Sequence, residues 1–304
     1  LSDYTITNYF PEIKVEGKEK YLTFFKIVAE KTREMVLHWQ RVGFVHGVMN
    51  TDNMSIHGIT IDYGPYGWLE DYNPNWTPNT TDAAGKRYRF GNQSNIALWN
   101  LYQLANALYP LIEEAAPLEE ILNDYAKKYD EDFLEMMLKK LGITSKNDEN
   151  ENLIQQLLSN LEQTETDYTI FFRNLNQIEK TDSVEDCVVK ISATFYKPEE
   201  VTGVILETWH FWLAQYLTLL NKEVLSDNER KTLQNSVNPK YVLRNYMAQM
   251  AIELAEKEDY SLLNELYELL LHPYEEQPKN EKWFTKRPDW AREKIGSSML
   301  SCSS

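Results

Sequence analysis

The stretch that decides the fold reads His46-Gly47-Val48-Met49-Asn50-Thr51-Asp52-Asn53, continues through Met54-Ser55-Ile56-His57-Gly58-Ile59-Thr60-Ile61 and ends in Asp62-Tyr63-Gly64. Apolar and polar residues alternate on both sides of His57-Gly58, which predicts a short β-hairpin with these two residues in its turn. In that register Asn53 lies opposite Asp62 on the polar face, because successive strand side chains point to alternate faces. The sequence therefore predicts a hairpin that brings an amide and a carboxylate together.

Asn53 and Asp62 are a candidate metal pair. Directly opposed strand residues have Cβ atoms about 4.5–5.5 Å apart, and amide and carboxylate oxygens are ligands that Mg²⁺ accepts. Because Mg²⁺ in proteins usually keeps water and phosphate oxygens in its shell, a site with two protein ligands indicates a phosphate-bearing partner. Asp52 adds a second carboxylate, which could accept a proton or contact the metal.

The order of these elements matches the catalytic segment of protein kinases. A helix predicted over Lys20–Arg41 precedes His46, Asn53 follows the histidine, and Asp62-Tyr63-Gly64 stands where kinases have Asp-Phe-Gly. In kinases the corresponding Asn and Asp hold the metal ions. Val48, however, occupies the position of the kinase catalytic Asp, so ordinary phosphate transfer to a protein hydroxyl is not expected.

Helical periodicity dominates the rest of the chain, which predicts a mainly α protein with one small β-hairpin. Residues 63–92 are rich in Gly, Pro, Asn, Trp and Tyr and predict a long loop that covers a site or binds a partner. The polar linker at residues 144–150 is the best internal boundary, and it separates a segment 1–142 that carries the catalytic loop from a helical region 143–304. The predicted helices after the loop are Asn95–Ile112, Leu118–Leu141, Leu153–Leu161, Tyr168–Ile178, Glu199–Leu220, Tyr241–Lys257 and Leu262–Leu271.

Composition narrows the function classes. The 31 Lys and Arg residues against 47 Asp and Glu residues give a formal net charge of −16, which disfavours binding to nucleic acids or anionic lipids. No apolar run approaches the ~20 residues of a membrane span, and the amino end shows no signal peptide. Cys187 and Cys302 are too few for a disulfide framework. These features predict a cytoplasmic protein without nucleic-acid or membrane partners.

The loop motif from His46 to Ile56, followed by Thr60-Ile61-Asp62-Tyr63-Gly64-Pro65, resembles the selenoprotein O family of kinase-like proteins. Two later stretches, Asn238–Asn245 and Lys286–Trp290, are similar to that family as well. The terminal Ser301-Cys302-Ser303-Ser304 resembles the family's Cys-Ser-Ser end, with Cys302 at the position that carries selenocysteine in animal members.

The resemblance implies a fold and an activity. The fold is a protein-kinase-like C-lobe with a helical C-terminal extension, and the activity is transfer of AMP from ATP to Ser, Thr or Tyr hydroxyls of proteins. Asp52 would be the proton acceptor, and Asn53 and Asp62 the ligands of Mg²⁺ or Mn²⁺. Asp62 would also contact the nucleotide through the metal.

The resemblance also implies that parts of the family's site lie elsewhere. The Gly-rich loop, the ATP-contacting Lys and its Glu have no counterpart in residues 1–45, and the chain opens at Leu1 without a methionine. We therefore expect the N-lobe to be absent and the chain to be the C-terminal half of a catalytic unit. Relatives with a redox-sensitive pair carry a second cysteine where Pro78 stands, so an intrachain switch with Cys302 is not expected.

Alternatives to adenylyl transfer stay open. Nothing in the residues selects the base, so uridylyl transfer is a close variant, and Val48 is compatible with a nucleotide-binding pseudokinase scaffold. Small-molecule phosphotransferases also have His-Gly loops, but they keep an Asp where Val48 stands. The basic run Lys86-Arg87-Tyr88-Arg89 is either a solvated part of the loop or a contact for substrate or phosphate.

Overall fold

The computed structural model describes residues 1–294, and the fold is mostly helical, as predicted. Strands β1 (Phe44–Val45) and β2 (Gly67–Trp68) form a small antiparallel sheet in which Phe44 lies opposite Trp68. The α-helices in this range are α1 (Ser2–Tyr9), α2 (Lys18–Val42), α3 (Gln93–Ile112), α4 (Ala116–Leu141), α5 (Asp148–Gln163), α6 (Tyr168–Asn174), α7 (Val184–Ile191), α8 (Gly203–Lys222), α9 (Asp227–Val237), α10 (Asn245–Ala255) and α11 (Ser261–Leu271).

Helix α2 organises the first apolar cluster. Its apolar residues recur at helical spacing, so that they form one buried face against α3 and the first half of α4. The helix ends at Gly43, which adopts the left-handed conformation common at helix C-termini. The chain then enters β1, so the end of α2 fixes where the predicted catalytic-loop segment, residues 46–53, begins. The buried apolar residues of this face are Phe24, Phe25, Val28, Ala29, Met35, Val36 and Trp39.

A second apolar cluster joins the end of α4 to α5, α6 and α8. Trp212 of α8 is fully buried, and its indole Nε1 donates a hydrogen bond to the Leu153 carbonyl at 2.9 Å. Val45 and Leu69 belong to the same cluster, so segments before and after Gly142 share one core. A third cluster is formed by α10, α11 and Trp283. The division of the chain into regions 1–142 and 143–304 stays a prediction.

The polar linker is shorter than predicted, because α5 begins at Asp148 with a capping box formed by Asn147 and Asn150. The Glu223 carboxylate accepts hydrogen bonds from the Thr144 hydroxyl at 2.5 Å and from the Ser145 amide at 2.9 Å. The linker is therefore attached to the end of α8.

The predicted hairpin over residues 54–61 is wrong. The Gly58 amide donates to the Ser55 carbonyl at 3.2 Å, so Ile56 and His57 are the central residues of the turn, one position earlier than predicted. Neither arm forms a strand. Residues 54–61 therefore contain no ladder that would pair Asn53 with Asp62. The sheet forms between β1 and β2 instead.

Contacts with α2 and the end of α1 explain this difference. The His57 ring stacks on Phe10 with ring centroids 5.1 Å apart, and Gly58 packs so closely on α2 that a Cβ there would lie 2.6 Å from the Lys31 carbonyl oxygen. The Trp39 indole donates to the Thr60 hydroxyl at 2.9 Å. The second arm is therefore bound to the helices, which leaves it unable to pair with the first arm.

Within residues 1–294, no helix is both long and apolar enough to cross a membrane.

Burial makes Cys187 of α7 unreactive. Its side chain has no exposed surface, and burial, together with the charge of Asp182, raises the pKa of the thiol to about 11. Because the thiolate is the reactive form, only roughly one thiol in a thousand would be ionised and reactive at any moment at about pH 8. We predict that iodoacetamide leaves Cys187 unmodified in the native protein, as measured by mass spectrometry of its peptide, whereas the urea-unfolded protein is labelled. Equal labelling rates in the two samples would contradict the buried placement.

Candidate active site

The start of the catalytic-loop segment is held by polar side chains of α3. Gln93 is fully buried; its Oε1 accepts from the His46 amide at 3.0 Å and its Nε2 donates to the Phe44 carbonyl at 2.9 Å. Two turns further along the same helix, Asn100 Nδ2 donates to the Met49 carbonyl at 3.0 Å. Sequence reasoning missed both residues. Their signal is an amide side chain at positions 93 and 100 on the otherwise apolar face of a helix.

His46 connects the loop to the residue before Asp62. Its Nε2 lies 2.8 Å from the Ile61 carbonyl oxygen, and the Val48 amide donates to its Nδ1 at 3.4 Å. These two contacts require the neutral tautomer with the proton on Nε2. Burial lowers the pKa of His46, although the bond to Ile61 and the charge of Asp62 oppose that change. His46 therefore acts in this fold as a neutral tie between residues 46–48 and residues 61–62.

Asn53 is oriented by a second contact with the same segment. It ends the short 3₁₀ turn Thr51–Asn53, and its Nδ2 donates to the Val48 carbonyl at 3.0 Å. This bond engages the amide nitrogen of Asn53, whereas a metal ion would bind the Oδ1 atom. Asp52, the preceding residue, is exposed.

Asp62 has an unusual backbone conformation. Its φ is 55°, in the left-handed region, and its carbonyl accepts a hydrogen bond from the Gly64 amide at 2.8 Å. Asp tolerates this region better than most residues, but a non-glycine residue there remains uncommon. Such outliers concentrate at functional sites, where the surrounding structure holds them. The exposed carboxylate of Asp62 follows directly after the carbonyl that His46 holds.

These residues fit a magnesium ion in their chemistry. Asn53 Oδ1 and the Asp62 carboxylate are hard oxygen donors; Asn53 is bonded to the Val48 carbonyl, and the carbonyl of Ile61, next to Asp62, lies 2.8 Å from His46 Nε2. Among residues 1–294 there is no cluster of three or more His, Cys, Asp or Glu side chains that could hold a metal. Mg²⁺ in proteins usually keeps several waters and phosphate oxygens in its shell, which fits a site with two protein ligands.

The loop over residues 63–92 folds back against the catalytic-loop segment. Asn79 is buried, and its Nδ2 donates to the Gly47 carbonyl at 3.1 Å. Gly47 has a φ of +79°, and a Cβ there would lie 2.2 Å from the Pro65 carbonyl oxygen and 3.2 Å from Pro78 Cγ. Cys302, the terminal cysteine whose redox partner in some relatives would stand at Pro78, lies outside the described residues.

The basic run lies beside the same segment. The Tyr88 hydroxyl bonds to Asn50 Oδ1, and the Asp82 carboxylate accepts from the Arg87 and Tyr88 amides at 2.8 and 2.7 Å. The Arg87 guanidinium lies 4.7 Å from the centre of the Trp99 ring on α3. Lys86 and Arg87 are exposed, so their charges are accessible next to the loop that carries Asp52 and Asn53.

Comparison with known proteins identifies the family. The family model described as "Protein adenylyltransferase SelO" matches residues 1–271, and the chain belongs to that family. The resemblance of the loop motif to selenoprotein O is therefore confirmed.

Curated relatives carry a related description. A "Protein nucleotidyltransferase YdiU" of Flavobacterium johnsoniae is 64% identical over 302 residues, which is 99% of this chain and 58% of the relative. Proteins with the same name from Aromatoleum aromaticum and Rhodopirellula baltica are 49% and 46% identical, over all of this chain and 57% and 59% of their own lengths. The chain thus spans a little more than half the length of these relatives.

Gly47 offers a test of the loop packing. We predict that Gly47→Ala lowers the free energy of unfolding by about 2–4 kcal/mol, because the new Cβ meets the Pro65 carbonyl and the left-handed backbone is strained. The matched control is Gly85→Ala, since the nearest atom to its Cβ is Asp82 Oδ1 at 3.7 Å, and it should change stability by less than about 1 kcal/mol. Urea denaturation measures both variants. Equal midpoints would show that residues 65 and 78 do not pack on Gly47 in solution.

Proposed function

We propose that this chain carries the metal-binding and proton-accepting part of a protein adenylyltransferase, which transfers AMP from ATP to Ser, Thr or Tyr hydroxyls of proteins. The single observation that carries the proposal is that Asn53 and the residue before Asp62 are hydrogen-bonded to two residues of one short segment, Val48 and His46. The names of the family model and of the YdiU relatives support nucleotidyl transfer. The kinase-like C-lobe, the C-terminal position of the chain and a cytoplasmic location are part of the same proposal.

In the proposed reaction the substrate hydroxyl oxygen attacks the α-phosphorus of ATP, pyrophosphate leaves, and the hydroxyl proton passes to a carboxylate. Asp52 is the exposed carboxylate adjacent to Asn53 and would accept that proton. Asn53 and Asp62 would hold Mg²⁺ or Mn²⁺, which neutralises charge on the phosphates when bound. His46 would keep the two ligand-bearing segments in register.

Val48 favours a second candidate, a nucleotide-binding scaffold without transfer activity. Its side chain supplies no carboxylate, and its backbone is already bonded to His46 and Asn53. Mass spectrometry of the full-length protein incubated with ATP or UTP and Mg²⁺ separates the possibilities. AMP on protein supports the proposal, UMP indicates the uridylyl variant, and the absence of any addition favours the scaffold.

The candidate ligands give a sharper test. We predict that Asp62→Ala and Asn53→Ala in the full-length protein reduce the rate of AMP transfer by at least about 100-fold, because charge stabilisation worth several kcal/mol is lost with the metal. Asp52→Ala should reduce the rate by about 10²–10⁴ while leaving nucleotide binding intact.

Asp124→Ala is the matched control, because Asp124 is an exposed residue of α4 paired with Lys128 one turn away, and we expect it to retain the wild-type rate. A wild-type rate in Asp62→Ala would remove this residue from the mechanism.

A further inference from the structure

Two stretches that are similar to the selenoprotein O family, Asn238–Asn245 and Lys286–Trp290, converge on the segment just after Asp62. Arg244 pairs with Glu70, and Asn245 Nδ2 lies 3.4 Å from the Tyr66 carbonyl. Arg287 pairs with Asp71 at 3.3 Å. The proposed function assigns no task to these residues, although all of them contact residues 66–71.

Arg244 is the centre of this contact. Its side chain is 3% exposed and lies between two carboxylates that are themselves buried, those of Glu70 and Asp167. The guanidinium lies 2.9 and 3.0 Å from the two Asp167 oxygens, and it also bonds to Glu70 Oε2. One planar cation therefore joins the loop after Asp62 to the residue that caps α6.

The backbone around Glu70 is paired on both sides. The Leu69 amide donates to the Gly43 carbonyl at 2.8 Å, while the Tyr168 amide donates to the Glu70 carbonyl at 2.8 Å. The Tyr72 amide donates to the Thr166 carbonyl at 2.9 Å. Residues 69–72 therefore lie between the end of α2 and the start of α6, where the side chain of Glu70 meets Arg244.

Asp62 lies between two anchors as a result. On one side His46 holds the Ile61 carbonyl. On the other side β2 pairs with β1, which leads directly into His46, and Arg244 holds Glu70 two residues after β2. Between Asp62 and β2 lie only residues 63–66, in which the Gly64 amide donates to the Asp62 carbonyl at 2.8 Å and the Tyr66 amide to the Gly64 carbonyl at 2.9 Å. The contacts at Glu70 are thus connected to the position of Asp62 through a short stretch of chain.

We propose that Arg244 is a positioning residue for the metal site: by holding Glu70 and Asp167 it fixes residues 66–71, and thereby the backbone that presents Asp62. This inference rests on the proposed function for its purpose, but the contact itself can be tested without any transfer activity. It extends the functional region to a part of the chain more than 170 residues away from the loop motif.

The test compares three variants of the full-length protein with the wild type. Arg244→Met removes the cation, and the triple variant Arg244→Met, Glu70→Gln, Asp167→Asn also removes the two carboxylate charges that it would leave unpaired. Arg230→Met is the matched control, because Arg230 is a fully buried arginine of α9 paired with Asp227. Within the described part of the chain its hydrogen bonds go to Asp227, Gln234 and Ile178, not to residues 62–72. Circular dichroism first establishes that each variant is folded.

Two measurements decide the inference. Hydrogen–deuterium exchange of peptides that cover residues 62–72 should be at least about tenfold faster in Arg244→Met and in the triple variant, and unchanged in Arg230→Met. Mn²⁺ affinity in the presence of ATP, measured by electron paramagnetic resonance, should fall about tenfold in the first two variants alone. The triple variant should regain thermal stability without regaining Mn²⁺ affinity, because the charge imbalance is relieved while the anchor stays missing.

If Arg244→Met and the triple variant match Arg230→Met in both measurements, Arg244 has only a general structural role and the inference is overturned. A wild-type protein that binds Mn²⁺ and ATP but transfers no nucleotide would contradict the proposed function instead. The two failures are therefore distinguishable.

Discussion

Irregular backbone placed among helices must find hydrogen-bond partners for its amides and carbonyls, and the rest of this structure depends on how residues 43–72 meet that requirement. An α-helix would satisfy most of these groups by itself. Here the partners are polar side chains from elsewhere: Gln93 and Asn100 from α3, Asn79 from the covering loop, and His46 and Asn53 from the segment itself. The His46 contact lies on the carbonyl of Ile61, next to Asp62, and the others lie on backbone groups of residues 44–49.

In this arrangement the side chains that hold the irregular backbone are buried, whereas the candidate carboxylates are accessible to a ligand. Gln93, His46 and Asn79 are buried, whereas Asp52 and Asp62 are exposed. A buried amide that loses its partner costs about 1–3 kcal/mol, so the holding residues have little freedom to move. The exposed carboxylates can then be presented to a ligand at low cost in conformational entropy, because the backbone beneath them is already ordered.

The buried charges around Arg244 carry a larger desolvation penalty than these buried amides do. Burial raises the pKa of Glu70 despite the adjacent guanidinium. Burial also opposes the charge of Arg244, but Asp167 and Glu70 outweigh it and hold the pKa of Arg244 well above its usual value. Breaking a buried pair of this kind costs about 3–5 kcal/mol, whereas a well-packed apolar replacement of the whole group is often neutral. Stability alone therefore does not explain why three charges occupy this position, which favours a role in fixing geometry.

Helices that follow from local periodicity could be predicted from the sequence, whereas features set by contacts between distant residues could not. Helices α2, α4 and α11 follow from apolar residues at helical spacing, whereas α7 and α9 were overlooked although Ser183 and Ser226 begin capping boxes. The hairpin was misplaced because its turn is set by the packing of His57 on Phe10 and of Gly58 on α2, neither of which alternation can reveal. Asp52, Asn53 and Asp62 were selected through their order along the chain, but the contacts of Gln93 and Arg244 join residues distant in sequence. Such contacts leave no periodic signal.

In the proposed reaction Val48 contributes through its backbone. Its amide and carbonyl bind His46 and Asn53, although the same position bears a catalytic carboxylate in kinases. The carboxylate needed for proton transfer can then come from Asp52, next to the ligand that Val48 orients.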